Sequence, residues 1–181
     1  MNALAILLGM AENNAWANLR LHRACGQLSR AEFAAERTGF FPSLHRTLCH
    51  ILIVDWFYVD ALEGGSLGLK AFESEVPFEE PDAVWAAQRA VDARLVEVCA
   101  RLTDEVQLDA PVALIRRDRE QIERAGDVLL HLFEHQIHHR GQAHAMLSGT
   151  WVAPPQLDEF FLADEAPLRA AELRELGLRE R

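Results

Sequence analysis

Apolar residues return at spacings of three and four in four long stretches of the chain, the period of a helix that buries one face. Leu4, Leu8, Ala11, Ala15, Leu19 and His22 form the first stripe, which Gly26 closes. Ser29 and Glu32 make a capping-box pattern for a short helix that stops by Gly39. Ser43 is placed to cap a second long helix, whose stripe runs through Leu44, Leu48, Ile51, Asp55, Tyr58 and Leu62 to Gly64-Gly65. Ile51–Val54 and Trp56–Val59 are apolar nearly all round, so this helix is expected to be the most buried. After a loop from Gly64 to Glu80, Pro81-Asp82 starts a third helix carrying Val84, Ala87, Val91, Leu95, Val98 and Leu102.

Val106–Ile115 leans towards strand and is interrupted by Pro111, which predicts a short hairpin or an extended crossover. A fourth long helix is expected from about Asp118 to Leu147, ending at Ser148-Gly149. Pro154-Pro155 opens an extended segment, and a last short helix over Asp164–Leu176 stops at Gly177. The tail Arg179-Glu180-Arg181 is expected to fray. These elements predict one all-α domain: a four-helix bundle over about 1–148 with long linkers, and a C-terminal extension over about 149–181. Bundles build their sites from side chains on facing helices, so polar residues on inward stripes are the candidates for chemistry.

Composition narrows the function. The 181 residues are 50% apolar and 25% charged, a globular balance, and the formal net charge is −10. Such a surface repels a phosphate backbone, and no basic run offers a local exception, so nucleic acid is not an expected partner. The apolar run Ala3–Ala11 is too short to span a bilayer and has no basic residue before Arg20, so neither a membrane anchor nor a signal peptide is expected. Cys25, Cys49 and Cys99 are odd in number and widely spaced, as expected of reduced core or surface thiols in a cytoplasmic protein.

Eight histidines remain, four of them within nine residues: His131, His135, His138 and His139. Residues four apart on a helix are rotated by about 40° and displaced by about 6 Å, so an HxxxH pair can direct two imidazoles at one ion. Two such pairs overlap. His131 and His135 fall in an H-x-x-E-H pattern, with Glu134 in the general-base position of inverted zinc peptidases. Only 46 residues follow His135, which leaves no second lobe for a peptidase. His135 and His139 form the other pair, followed by Arg140, Gly141 and Gln142. Gly141 costs roughly 1 kcal/mol against Ala in a helix, a cost that close approach of a helix or ligand would offset. His50, in the most apolar helix, is either a ligand or a core histidine bonded to a carbonyl or to Asp55.

Several segments together resemble the DinB/YfiT-like superfamily of metalloenzymes along nearly the whole chain. Asn14-Ala15-Trp16-Ala17-Asn18 is similar to that family's Trp-Ala-Asn signature. His50 followed by Asp55-Trp56 is like its histidine with a downstream acidic-aromatic pair, and Pro154-Pro155-Gln156-Leu157-Asp158 resembles the segment after its last bundle helix. His135-Gln136-Ile137-His138-His139-Arg140-Gly141-Gln142 is close to its most specific motif, although Glu134 stands where Asn is common. The resemblance implies a four-helix bundle, often a homodimer, with His50, His135 and His139 as metal ligands. Glu134 then reads as a surface charge, His22 and His45 as helix-edge residues, and His138 as a flank residue. His144 falls one turn beyond the site, and His131 within reach of it. Arg140, a cation, should point away from the ion towards a carboxylate.

Three neutral ligands leave a divalent ion with its full charge and an open position, unlike a closed structural site. The imidazole set suits Zn or Ni, with Fe, Mn or Cu also compatible. Coordination lowers the pKa of water towards 7 or deprotonates a thiol. Because some members of the resembled superfamily use low-molecular-weight thiols, the leading expectation is a metal-dependent enzyme transferring a thiol to a small-molecule electrophile in stress or detoxification. Hydrolysis and non-catalytic metal binding are the alternatives.

Overall fold

The computed structural model describes residues 2–179. Four long helices carry the architecture: α1 (Ala3–Cys25), α3 (Leu44–Leu62), α4 (Pro81–Ala100) and α5 (Ala125–Leu147). Two short ones, α2 (Arg30–Ala34) and α6 (Ala166–Leu176), are appended to them. Around the bundle α1 packs on α4 and α5, and α3 packs on the same two helices, so α1 and α3 are diagonal. The main core fills the space between them, with Ala11, Leu21, Leu48, Leu52, Val84 and Leu132 among its buried residues. No helix among the described residues is long and apolar enough to cross a membrane.

The local signals act as the sequence indicates. Ser29 and Glu32 form a reciprocal capping box at α2, and the Ser43 side chain accepts from the Arg46 amide at α3. Pro81 occupies the first turn of α4, where no amide hydrogen is needed. Gly177 ends α6 in the left-handed region at φ 69°, where a Cβ would be strained. As expected, α3 is buried along most of its length.

The fourth helix starts later than its periodicity suggests. Residues Glu120–Arg124 form strand β2, paired antiparallel with β1 (Pro111–Ile115) in the register Val112 to Glu123 and Leu114 to Gln121. Val112 and Leu114 are buried, and strand pairing carries them onto α3 and α5. That burial outweighs the helix preference of Glu-Gln-Ile-Glu-Arg, and Ile122 is left facing solvent. The hairpin thus uses five residues assigned to the helix by pattern.

The C-terminal segment is clamped to the outer face of α1. Trp16 is fully buried against Phe160 and Leu173, and its indole nitrogen donates to Glu172 at 2.7 Å. Arg20 stacks on Trp16 and donates to both Glu172 and Glu159. Arg179, expected to fray, donates to the buried Glu12 at 2.9 Å. Glu180 and Arg181, the rest of that tail, lie outside the described residues.

Candidate metal centre

α3 and α5 face each other across the bundle, and the site arises where His50 meets the i, i+4 pair His135 and His139. His50 Nε2 and His135 Nε2 are 3.0 Å apart, and one ring nitrogen from each of the three residues falls within a 4.8 Å group. Two nitrogens bound to one ion at 2.0–2.1 Å are separated by roughly 2.9–3.4 Å, depending on the angle at the metal. The three imidazoles therefore form a group that could hold a metal ion. Phe41 covers the cluster, its ring centroid 4.3 Å from that of His50 and 5.6 Å from that of His139.

Electrostatics keep these rings neutral, the state a ligand requires. Burial, followed by the neighbouring His139, lowers the His50 pKa to about 4. Burial and the surrounding histidines lower His135 to about 3. Burial also lowers His139, against an opposing hydrogen bond from Gln142. That bond joins His139 Nδ1 to Gln142 Oε1 at 2.9 Å. A carboxamide oxygen only accepts, so the proton sits on Nδ1 and the Nε2 lone pair is free for an ion. His135 has no such support: its Nδ1 is buried without a partner.

The rival pair is not assembled. His131 is exposed, and its ring centroid is 6.4 Å from that of His135. Glu134 is exposed, a surface charge as expected. His138 lies on the exposed flank and accepts from Gln142 Nε2 at 2.9 Å. His144 bonds to the Pro155 carbonyl. His22 and His45, expected at helix edges, are both buried. His22 stacks on Trp85, and His45 Nε2 donates to the Phe78 carbonyl at 2.7 Å, so aromatic cover and a backbone acceptor make their burial tolerable. Gly141 also departs from expectation: it is exposed, and a Cβ there would meet no atom within 4 Å.

Behind the cluster lies a buried polar network. Arg140 turns away from the histidines into the core, as a cation beside a metal site should. It reaches carboxylates through amides rather than directly. Its NH1 donates to Asn14 Oδ1 at 2.6 Å and Asn18 Oδ1 at 3.0 Å, while both asparagine nitrogens donate to Asp92. Gln88 donates to Asp92 and to Asp55, and Gln136 donates to Asp55 as well. Asp55 therefore serves Gln88 and Gln136, not His50. Burial raises the Asp55 pKa well above the carboxylate range, with Asp92 adding to the rise. Burial lifts Asp92 to about 6 and lowers Arg140 to about 10. Arg140 is the network's cation, and burial with the neighbouring Asp92 disfavours the ionised form of Asp55. Gln136 and Arg140 each follow a histidine of the pair on α5, so the network holds that helix in the rotation that turns His135 and His139 towards His50.

The asparagines were legible as a motif but not as Arg140's partners. Gln142 was likewise legible in the motif but not as the partner of His139, and the roles of Phe41, Gln88 and Asp92 were not legible. The one available signal was polar Gln88 and Asp92, four apart, beside the apolar stripe of α4.

Residues 1–174 match the model of the DinB family. No curated protein matches the chain. Among solved structures, a DinB-like protein from Bacillus cereus ATCC 10987 superposes with a TM-score of 0.59 at 16% identity, over 78% of this chain and 90% of that one. At that identity the likeness establishes the bundle fold alone.

Proposed function

The chain belongs to the DinB family, and from that premise we propose a metal-dependent enzyme in which His50, His135 and His139 hold one divalent ion. The observation that carries this reading is the convergence of three neutral imidazoles, two with Nε2 atoms 3.0 Å apart. Zn or Ni is the preferred ion, with Fe, Mn or Cu compatible with the same donors. A divalent ion supplies Lewis acidity that lowers the pKa of a thiol or a water molecule.

The chain's own residues favour an external thiol as the nucleophile. Cys25, Cys49 and Cys99 are all buried, and burial pushes each thiol up to about 12, so none supplies a thiolate at neutral pH. Beside His50 a cavity of about 300 Å³ is lined by Phe41, Ile53 and Phe72, with the Arg46–Glu75 ion pair at its edge. Its apolar walls suit a small electrophile, and neither His131 nor Glu134 lines it. The reading is thus transfer of a low-molecular-weight thiol to a small electrophile, in a cytoplasmic stress or detoxification role and as a homodimer.

Elemental analysis of the purified protein beside His50→Ala and His139→Ala tests the site. About one ion per chain is expected in the native protein and little in either variant; unchanged content in both would refute the assignment. A screen pairing glutathione or cysteine with an activated aryl halide tests the chemistry. Metal-dependent thiol loss is expected, whereas none in any pairing favours a non-catalytic metal-binding protein. Sedimentation velocity reports the oligomeric state.

A further inference from the structure

A second cavity, of about 280 Å³, opens between the hairpin and the α3–α5 face. Tyr58 and His131 both line it, with ring centroids 5.2 Å apart, and His131 is in turn 6.4 Å from His135. His131 is thus the lining residue next to the histidine cluster. Besides Asp127 of α5, its other polar residues come from the hairpin: Gln121 and Glu123 pair with the buried Leu114 and Val112, and Arg116, the residue after β1, continues the alternation.

Arg116 is half-buried on an aromatic floor, its guanidinium carbon 4.9 Å from the Phe57 ring centroid and 5.8 Å from that of Tyr58. Its Nε donates to Gln121 Oε1 and its NH2 to the Tyr58 hydroxyl, both at 3.2 Å. Among the described residues it has no carboxylate partner. A guanidinium fixed by neutral partners, with donors to spare, is a receptor for a planar anion.

The cavity also holds a half-buried carboxylate, Glu123. It does not pair with Arg116, because Gln121 stands between them and donates to Glu123 Oε1 at 2.7 Å while accepting from Arg116. Asp127, also on the wall, is engaged by Arg124. One cation and one anion, held apart by a neutral amide, complement a ligand bearing both charges. The volume lies just under the roughly 300–1,000 Å³ of drug-sized sites, so the ligand is small.

We propose that this cavity anchors the α-amino acid head of the substrate, with its carboxylate on Arg116 and Tyr58 and its ammonium on Glu123. The remainder of the molecule then extends past His131 to the histidine cluster. The inference rests on the three-histidine reading only in calling the ligand a substrate; the anchor itself needs no metal.

The test uses metal-free full-length protein, titrated by calorimetry with three small thiols. L-cysteine carries both charges, cysteamine lacks the carboxylate, and 3-mercaptopropionate lacks the ammonium. L-cysteine is expected to bind at least tenfold more tightly than either. Arg116→Gln should abolish its advantage over cysteamine, and Glu123→Gln its advantage over 3-mercaptopropionate, with the helical circular dichroism of both variants unchanged. Equal affinity for the three thiols, no binding of L-cysteine, or indifference of L-cysteine binding to Arg116→Gln overturns the proposal. Because no metal is present, these results are separate from the metal content of His50→Ala, which judges the histidine site.

Discussion

The Gln142 carboxamide joins His139 to its neighbour, accepting from His139 Nδ1 and donating to His138 Nε2, each at 2.9 Å. This contact fixes the tautomer of one candidate ligand from outside the cluster. Gln142→Ala is therefore expected to weaken metal binding by about 10–100-fold while leaving the fold intact. Competition against a chromogenic chelator measures it, and an unchanged affinity would remove Gln142 from the site.

The overlapping H-x-x-E-H pattern makes a second prediction. His131 and Glu134 are exposed and lie outside the three-histidine group. The double variant His131→Ala, Glu134→Ala should keep the metal content of the native protein. Loss of the ion comparable to that in His50→Ala would restore the peptidase-type pair.

Asp55 and Asp92 should respond differently to loss of their charge. Asp92→Asn leaves the buried Arg140 guanidinium without its counter-ion and should cost about 3–5 kcal/mol. Asp55→Asn removes a carboxylate whose ionised form burial disfavours and should cost about 1 kcal/mol or less. Urea unfolding at neutral pH compares them; equal losses would show that Asp55 carries charge.

His22 gives the folded state a definite pH dependence. Burial, followed by the charge of Arg140, lowers its pKa from 6.5 to about 3. The unfolded chain therefore takes up a proton below about pH 6.5 that the folded chain refuses, so the stability present above that pH is lost as pH falls towards about 3. Asp92 acts in the opposite sense: its raised pKa favours the folded state at low pH, and that contribution fades as pH rises through about 6. The His22 contribution is isolated by comparing His22→Phe with the native chain, both metal-free. Between about pH 7.5 and 5 the native chain should lose about 2 kcal/mol more than the variant. Parallel pH profiles for the two proteins would place a proton on His22 in the fold.

Gly141 is free to change. No atom lies within 4 Å of a Cβ at that position, and its backbone is helical. Gly141→Ala should stabilise the protein by about 0.5–1 kcal/mol with metal content unchanged. A lower melting temperature would mean that the space beside Gly141 is needed.

By itself the sequence determined the helices and their inward faces, because a 3.6-residue period and capping residues are local properties. Ser29 with Glu32, Ser43, Pro81 and Gly177 act where the pattern puts them. Spacing alone offered His131–His135 and His135–His139 equally, since residues four apart on one helix share a face. Tertiary structure decided the rest. Glu120–Arg124 became a strand because pairing with β1 carries Val112 and Leu114 onto the bundle, a gain no local window contains. His50 met its partners, rather than Asp55, because α3 and α5 pack face to face while Gln88 and Gln136 claim the aspartate. Arg140 found its balance in Asn14, Asn18 and Asp92, on helices far apart in the chain. Periodicity states which side of a helix is turned inwards; only packing states what it meets there.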